Sequence, residues 1–292
     1  MEEINQEIWF IINFFSGTIQ NEKKRVIVEE INKYPYTVIF ETQYPKHAAE
    51  LAQKAIEAGV KRVVAIGGDG TLNEVGSILR GSDVLMGIVP IGSGNGLARH
   101  LKIPLNPIMA IKKALLGNGF LIDTCTINEI PFFCTAGVGF DAQVAFDFSK
   151  KKSRGFITYI ITSIQSFFVY KVAEYQVFVE EKNINVNAFA ITFANASQYG
   201  NDAVVAPDSK IDDGLIDLVI LRKFPIFASI FIAFRLFSDS FSRSKYVTTI
   251  KGTAFKIKAA GNLIIHFDGE PMQLNTNELI VKIDDKKLKV IV

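Results

Sequence analysis

The sequence predicts two domains: an N-terminal parallel α/β domain over residues 1–121 and a C-terminal antiparallel β sandwich or barrel over 122–292. Three observations carry this reading. The 292 residues exceed the roughly 150 expected of a single domain. The first 120 residues alternate apolar strand-like runs with segments of helical period, the grammar of a parallel sheet covered on both faces. From about Phe120 the chain changes to alternating runs joined by short polar turns, the grammar of antiparallel strands.

Taken in order, IWFIINFF (8–15) reads as a fully buried strand, 22–33 as a helix, YTVIFE (36–41) as a strand and 46–58 as a helix. RVVAIGG (62–68) is the next strand, followed by a helix at 72–80, a strand at 84–89, and helices near 95–100 and 107–116. In the second half, FLIDTCTI and FFCTAGV flank a turn at Asn128 and Glu129, and EYQVFVEE and NAFAITFANA flank 182–185. LIDLVIL, AFKIKA, LIIHFDGE, ELIVKI and LKVIV continue the series, the last two turning back to back at Asp284 and Asp285. Two apolar helices, 156–170 and 226–237, interrupt these strands.

The composition, 49% hydrophobic and 21% charged, excludes disordered, collagenous and heptad-repeat chains and guarantees a core. A net charge of only +2 gives no bulk argument for a nucleic-acid partner, and none is expected. Cys125 and Cys134 sit in apolar sequence without metal-ligand spacing, so buried reduced thiols and a cytoplasmic setting are expected. Residues 1–8 lack the basic start and following cleavage site of a signal peptide. The two apolar helices fall short of the roughly 18 to 20 residues that span a bilayer.

The strongest chemical signal is IGGDGTLNEV (66–75), where a strand meets a helix. Gly67, Gly68 and Gly70 permit close approach of a ligand, and a helix N-terminus offers N–H groups to an anion, a phosphate-handling design. Asp69, inside this turn, would repel bare phosphate unless a divalent cation intervenes or the carboxylate accepts a proton from an attacking hydroxyl. PIGSGNGLARHL (90–101) repeats the arrangement after the next strand, so one crevice at the carboxyl edge of the sheet would hold a polyphosphate. Neither turn is a Walker P-loop. GVGFDA (137–142) matches a dinucleotide fingerprint formally but follows a hairpin strand rather than a parallel unit. His47, His100 and His266 show no metal spacing.

These motifs in this order resemble the diacylglycerol kinase catalytic-domain family, which includes bacterial lipid kinases and sphingosine kinases. The resemblance rests on GGDGT at 67–71 with Asn73 and Glu74, P-x-G-S-G-N at 90–95 with Leu97 and Ala98, GVGFDA, APDSKIDDGLIDLVI at 206–220 and DGEP at 268–271. It spans nearly the whole chain. GGDGT alone marks only the superfamily shared with NAD kinases and phosphofructokinases.

The resemblance implies an ATP- and Mg²⁺-dependent kinase of phospholipid metabolism that phosphorylates a lipid hydroxyl, with the nucleotide held between an α/β nucleotide-binding domain and the β-rich domain. Carried onto this chain, Asn13, Ser16 and Gly17 match the family's N-P-x-S-G turn, with Phe14 in place of proline. Nucleotide contacts then fall to these three, to Gly67, Gly68, Gly70, Thr71 and Glu74, and to Gly92, Ser93, Gly94 and Asn95. Asp69, Asp123 and Glu270 are the implied catalytic carboxylates, and Asp213 and Asp268 the implied metal ligands. Asp123 and Asp213 read equally as structural caps, and the Asp268–Glu270 pair as a solvent-facing strand end. Lys150, Lys151 and Arg154 lie where family members place basic residues near phosphates; a solvated loop is the alternative. The acceptor is diacylglycerol or a related lipid alcohol. A sphingoid base is not indicated, because Ala145 occupies the position where sphingosine kinases carry an acidic residue and Asp147 lies two later. NAD kinase and a non-catalytic lipid sensor are the rival functions. The basic run 150–154 beside the apolar helix 156–170 predicts peripheral membrane contact, whereas helix 226–237 is expected to be buried against the β domain, with lining of an acyl-chain pocket or help in membrane docking as the alternatives. A homodimer is allowed.

Overall fold

The computed structural model describes residues 7–14, 21–151 and 155–292. The chain forms two compact units, residues 1–122 with 285–292, and residues 123–284.

In the first unit, β1 (Ile8–Ile12), α1 (Asn21–Ile31), β2 (Thr37–Glu41), α2 (His47–Glu57), β3 (Arg62–Gly67), α3 (Asp69–Leu79) and β4 (Leu85–Pro90) alternate as the hydrophobic runs dictate. The short α4 (Gly96–His100), α5 (Pro107–Leu116) and β5 (Gly119–Ile122) follow. The sheet order is β2-β1-β3-β4, all parallel. Phe10, Ile11, Val63, Val64 and Ile66 are fully buried on alternating faces, which is why these strands read as continuous apolar runs. The order reverses between β1 and β3, and their carboxyl ends form the switch point at which such sheets bind ligands.

The final strand departs from the expected organisation. β17 (Leu288–Ile291) leaves the second unit and inserts between β4 and β5, parallel to the former and antiparallel to the latter. The expected hairpin at Asp284 and Asp285 therefore does not form. Leu288, Val290 and Ile291 are buried in the first unit, so residues 285–292 belong with residues 1–122 rather than with the β domain.

The second unit is one curled antiparallel sheet of 11 strands. It contains β6 (Cys125–Ile127), β7 (Ile130–Phe132), β8 (Thr135–Gly139), β9 (Ala173–Val179), β10 (Lys182–Ala194), β11 (Ile216–Arg222), β12 (Val247–Gly252), β13 (Ala254–Ala259), β14 (Ile264–Phe267), β15 (Glu270–Gln273) and β16 (Glu278–Ile283). The long β10 pairs with β9 in its first half and with β8 and β11 in its second, with a register shift between Ala188 and Ala190. One face carries Phe193, Ile191, Leu218 and Ile220 into the main core with Phe132, Val177 and Phe255. The opposite face carries Ala190, Ala194, Val219 and Leu221 into a smaller aromatic cluster. Two hairpins turn on paired left-handed residues, Asn128 and Glu129 (φ 45° and 65°) and Asp268 and Gly269 (φ 46° and 85°).

Three helices complete this unit: α6 (Phe140–Ser149), which the sequence reading did not anticipate, α7 (Phe156–Val169), and α8 (Ser229–Leu236), preceded by a 3-10 turn at Ile226–Ala228. α7 is amphipathic in the inverse sense. Its polar Thr162 and Ser166 are buried, Ser166 Oγ donating to Asp147 Oδ2 of α6 at 2.8 Å, while Ile157, Ile161, Ile164 and Phe168 are exposed. α8 also departs from expectation: Ala228 and Ile232 pack inward, but Phe227, Ile230, Phe231 and Phe234 are exposed.

Candidate active site

In the first unit, the two glycine-rich turns meet at the carboxyl ends of β3 and β4. Gly68 precedes α3, and Asp69 is its first residue. The Asp69 carboxylate accepts two backbone hydrogen bonds at 2.8 Å, Oδ2 from Asn95 N and Oδ1 from Gly96 N, and so ties the first turn to the second. The turns also touch directly. A Cβ on Gly92 would lie 2.6 Å from Gly68 Cα, a distance no side chain tolerates, so Gly92 has to be glycine for this close backbone approach. Asn95 adopts a left-handed conformation, φ 55°, and closes the second turn by accepting from Gly92 N at 3.0 Å and donating to Gly92 O at 2.8 Å. Ser93 is exposed at the tip. Arg99 Nε donates to Gly94 O at 3.2 Å, fixing the last peptide of the turn.

Asn13 joins this cradle from the end of β1. Its backbone N–H donates to Ile66 O at 2.9 Å and its Nδ2 to the Thr71 hydroxyl at 3.0 Å. Next to it opens a cavity of about 350 Å3 lined by Phe14, Lys24, Arg25 and Thr42 among others. Thr42 and this cavity were not anticipated; the signal available was a polar residue directly after an apolar parallel strand. Asn13, Gly67, Gly68, Gly70, Thr71 and the 92–95 turn are thus brought together at the switch point. Ser16, Gly17 and Arg154 lie outside the described residues. Glu74 Oε1 accepts from the Lys46 backbone N–H at 3.2 Å, where Lys46 turns with φ 69° into α2.

The carboxylates of the second unit are mostly committed to backbone. Asp123 is fully buried, and its Oδ2 accepts from Gly214 N at 2.7 Å, locking the 211–214 loop. Asp268 does not continue a strand; it occupies a left-handed turn position and accepts from Phe133 N, Cys134 N and Thr135 N at 2.9, 2.8 and 3.2 Å. It therefore does not share a strand face with Glu270, which is exposed at the start of β15. Asn195, fully buried, links the two locks: its Nδ2 donates to Asp123 O at 3.0 Å and Phe133 O at 2.9 Å. A polar residue closing the apolar run NAFAITFANA was the available signal.

Asp213 and Asp268 both have partners within the protein. Asp213 lies 3.5 Å from Lys251 Nζ and caps Leu215 N at 3.1 Å, while Asp268 is ringed by three amide donors. Among the described residues, no group of three or more His, Cys, Asp or Glu side chains is arranged to hold a metal ion. Lys251 also pairs with the buried Asp217 at 3.3 Å. Burial raises the Asp217 carboxyl above its ordinary value despite that cation. Lys251 is raised too, its partial burial being outweighed by the two carboxylates.

GVGFDA is a packing motif. A Cβ on Gly139 (φ 105°) would lie 2.8 Å from Phe189 O, and one on Gly137 would lie 2.7 Å from Ile191 O and 2.8 Å from Asp141 Oδ2. The glycines let β8 lie against β10 and a network of buried Thr192 and His266 with half-buried Asp141 and Tyr199. Cys125 and Cys134 are free and buried, and burial holds the Cys125 thiol well above its ordinary value.

A parallel α/β unit with paired glycine turns at its switch point, followed by a curled antiparallel sheet, defines a kinase of the fold shared by diacylglycerol and NAD kinases. A diacylglycerol kinase catalytic domain model matches residues 7–127, and a YegS C-terminal NAD kinase beta sandwich-like domain model matches residues 134–292. The chain belongs to this diacylglycerol kinase-type lipid kinase family, in its YegS-like form. A probable lipid kinase YegS-like of Serratia proteamaculans is 28% identical over 262 residues, 87% of this chain and 84% of the relative. Its Chromohalobacter salexigens counterpart is 31% identical over 229 residues, 76% and 73% of the two chains. A putative diacylglycerol kinase from Bacillus anthracis shares the fold with a TM-score of 0.80 at 18% identity, covering 98% of this chain and 95% of that one. An NAD kinase from Archaeoglobus fulgidus in complex with ATP aligns with a TM-score of 0.54 at 10% identity, covering 98% and 93%.

Proposed function

We propose that the protein transfers the γ-phosphate of ATP to the hydroxyl of a lipid alcohol, diacylglycerol or a close relative. The observation that carries this reading is the junction of the two glycine turns, Gly68 against Gly92 and Asp69 on Asn95 and Gly96, at the switch point of a parallel sheet. Such a junction lies at the carboxyl edge of a parallel sheet, where phosphate-bearing ligands bind in folds of this kind. The relatives named as probable lipid kinases support the acceptor class.

In the proposed reaction the acceptor oxygen attacks the γ-phosphorus, the bond to the β-phosphate oxygen breaks, and ADP leaves. The acceptor proton passes to a carboxylate, for which Asp69 is the candidate in the first unit and Glu270 the exposed candidate in the second. Asp123, Asp268 and Glu74 act as positioning residues. Mg²⁺ is expected to accompany the nucleotide as its counter-ion, the usual way this cation is brought to phosphoryl transfer.

The exposed apolar face of α7 supports a peripheral membrane contact for the kinase, beside Lys150 and Lys151. The test is a kinase assay of pure protein with labelled ATP against a panel of lipid alcohols and NAD, with and without chelator. Phosphorylation of a lipid alcohol that stops with chelator is expected. Labelling of NAD alone, or full activity in excess chelator, overturns the reading.

A further inference from the structure

Helix 226–237 was expected to be buried against the β domain, and much of its apolar surface lies in solvent. The 3-10 turn and α8 form a helical rod too short to cross a bilayer, and no helix among the described residues is long and apolar enough to do so. Its inward stripe, Ala228 and Ile232, joins the small aromatic cluster with Phe224 and Phe241. Its outward stripe is equally apolar: Phe227 is 74% exposed, Ile230 76%, Phe231 68% and Phe234 69%. These four stand at i, i+3, i+4 and i+7, the spacing of a face made to be covered.

Charge identifies what covers it. Residues 221–246 contain five basic residues, Arg222, Lys223, Arg235, Arg243 and Lys245, and one acidic residue, Asp239. This segment therefore carries +4, while the whole chain carries +2. Arg235 and Arg243 line a groove of about 410 Å3 together with Phe231, Phe234 and Ser240. Arg235 Nη1 donates to Ser240 O at 3.1 Å, which holds one guanidinium at the groove wall, and Arg243 is exposed. Guanidinium groups beside outward phenyl rings match the phosphates and acyl boundary of an anionic bilayer, and a protein partner would not require this excess of one sign.

We propose that the α8 segment is an anchor that docks the protein on anionic phospholipid bilayers, with Phe227, Ile230, Phe231 and Phe234 entering the acyl boundary and Arg235 and Arg243 meeting headgroup phosphates. This deepens the membrane reading above by naming a second element and the lipid charge it selects. α7 is its neighbour, since the Phe167 ring of α7 stacks on Phe224 with centroids 6.3 Å apart.

The experiment is flotation of the full chain, without nucleotide, on vesicles of phosphatidylcholine alone and of phosphatidylcholine mixed equally with phosphatidylglycerol. Binding to the anionic vesicles that weakens with salt is expected. Phe231→Ser with Phe234→Ser, and separately Arg243→Gln, should each weaken it about tenfold. Their melting temperatures should match the wild type, as should their turnover on lipid dispersed in detergent. Equal binding of the variants, or equal binding to neutral vesicles, overturns the proposal. So does a wild-type dimer that the variants split with vesicle binding unchanged, which would assign the face to a second copy. Wild-type protein that floats yet phosphorylates no lipid alcohol would sink the kinase reading and leave the anchor standing.

Discussion

At the scale of single residues, Asp69 does structural work that its chemical role has to share. Both oxygens accept backbone N–H groups of the second glycine turn, so Asp69→Asn places an amide N–H₂ against an N–H donor. We predict a loss of about 1–3 kcal/mol of stability together with a fall of about 10² to 10⁴ in turnover, read by thermal denaturation and saturating kinetics on the same protein. A stability loss with unchanged turnover would reduce Asp69 to a clamp. Gly92→Ala has to move the Gly68 backbone, and ATP affinity should fall more than tenfold in a titration calorimeter while the second unit's near-ultraviolet signal is retained. Lys251→Met leaves Asp217 buried without its cation, at a cost of about 1–2 kcal/mol because Lys251 is itself partly solvated. The pH dependence has a definite sign. Asp217's folded-state value is already raised, and losing Lys251 raises it further, so the folded state binds a proton more readily than the unfolded state. The variant's deficit should shrink as pH falls from 7 through that raised value toward 3.8, and denaturant titrations across this range measure it.

At the scale of elements, the helices of the second unit show how little amphipathic pattern says about direction. The polar stripe of α7 was visible in the sequence as Thr158, Thr162, Gln165 and Ser166, yet Thr162 and Ser166 of this stripe are buried, with Gln165 at its exposed edge. Asp147 on α6 takes the Ser166 hydroxyl, and Lys151 Nζ donates to Gln165 Oε1 at 3.2 Å. Ser166→Leu should therefore destabilise the unit by about 1–3 kcal/mol, leaving Asp147 Oδ2 without the Ser166 donor, whereas Ile161→Ser on the exposed face should leave the melting temperature within a degree or two. The reverse result would restore the ordinary orientation of an amphipathic helix. By contrast, the hairpin at Asn128 and Glu129 was legible, because a short polar pair between alternating strands specifies a two-residue turn locally.

At the scale of the whole molecule, the last eight residues close the first unit. β17 bridges β4 and β5, so truncation after Asp284 opens the sheet and exposes Ile122 and Met86. We predict that this truncation abolishes cooperative unfolding of the first unit, measured by hydrogen exchange of β4 amides, while β10 amides keep their protection. The amino-acid sequence by itself determined the alternation of β1 to β4 with their helices, the two glycine turns, the change of grammar near residue 120 and the family to which they belong. These are local properties, set by hydrophobic period, by glycine's freedom and by the order of motifs along the chain. The tertiary structure alone decided that β17 returns to the first sheet, that Asp123, Asp268 and Glu74 each accept from backbone N–H groups, and that α7 and α8 turn apolar faces outward. Each of these depends on which partner lies across from a residue in space, and neither period nor composition encodes a partner that is a hundred residues away.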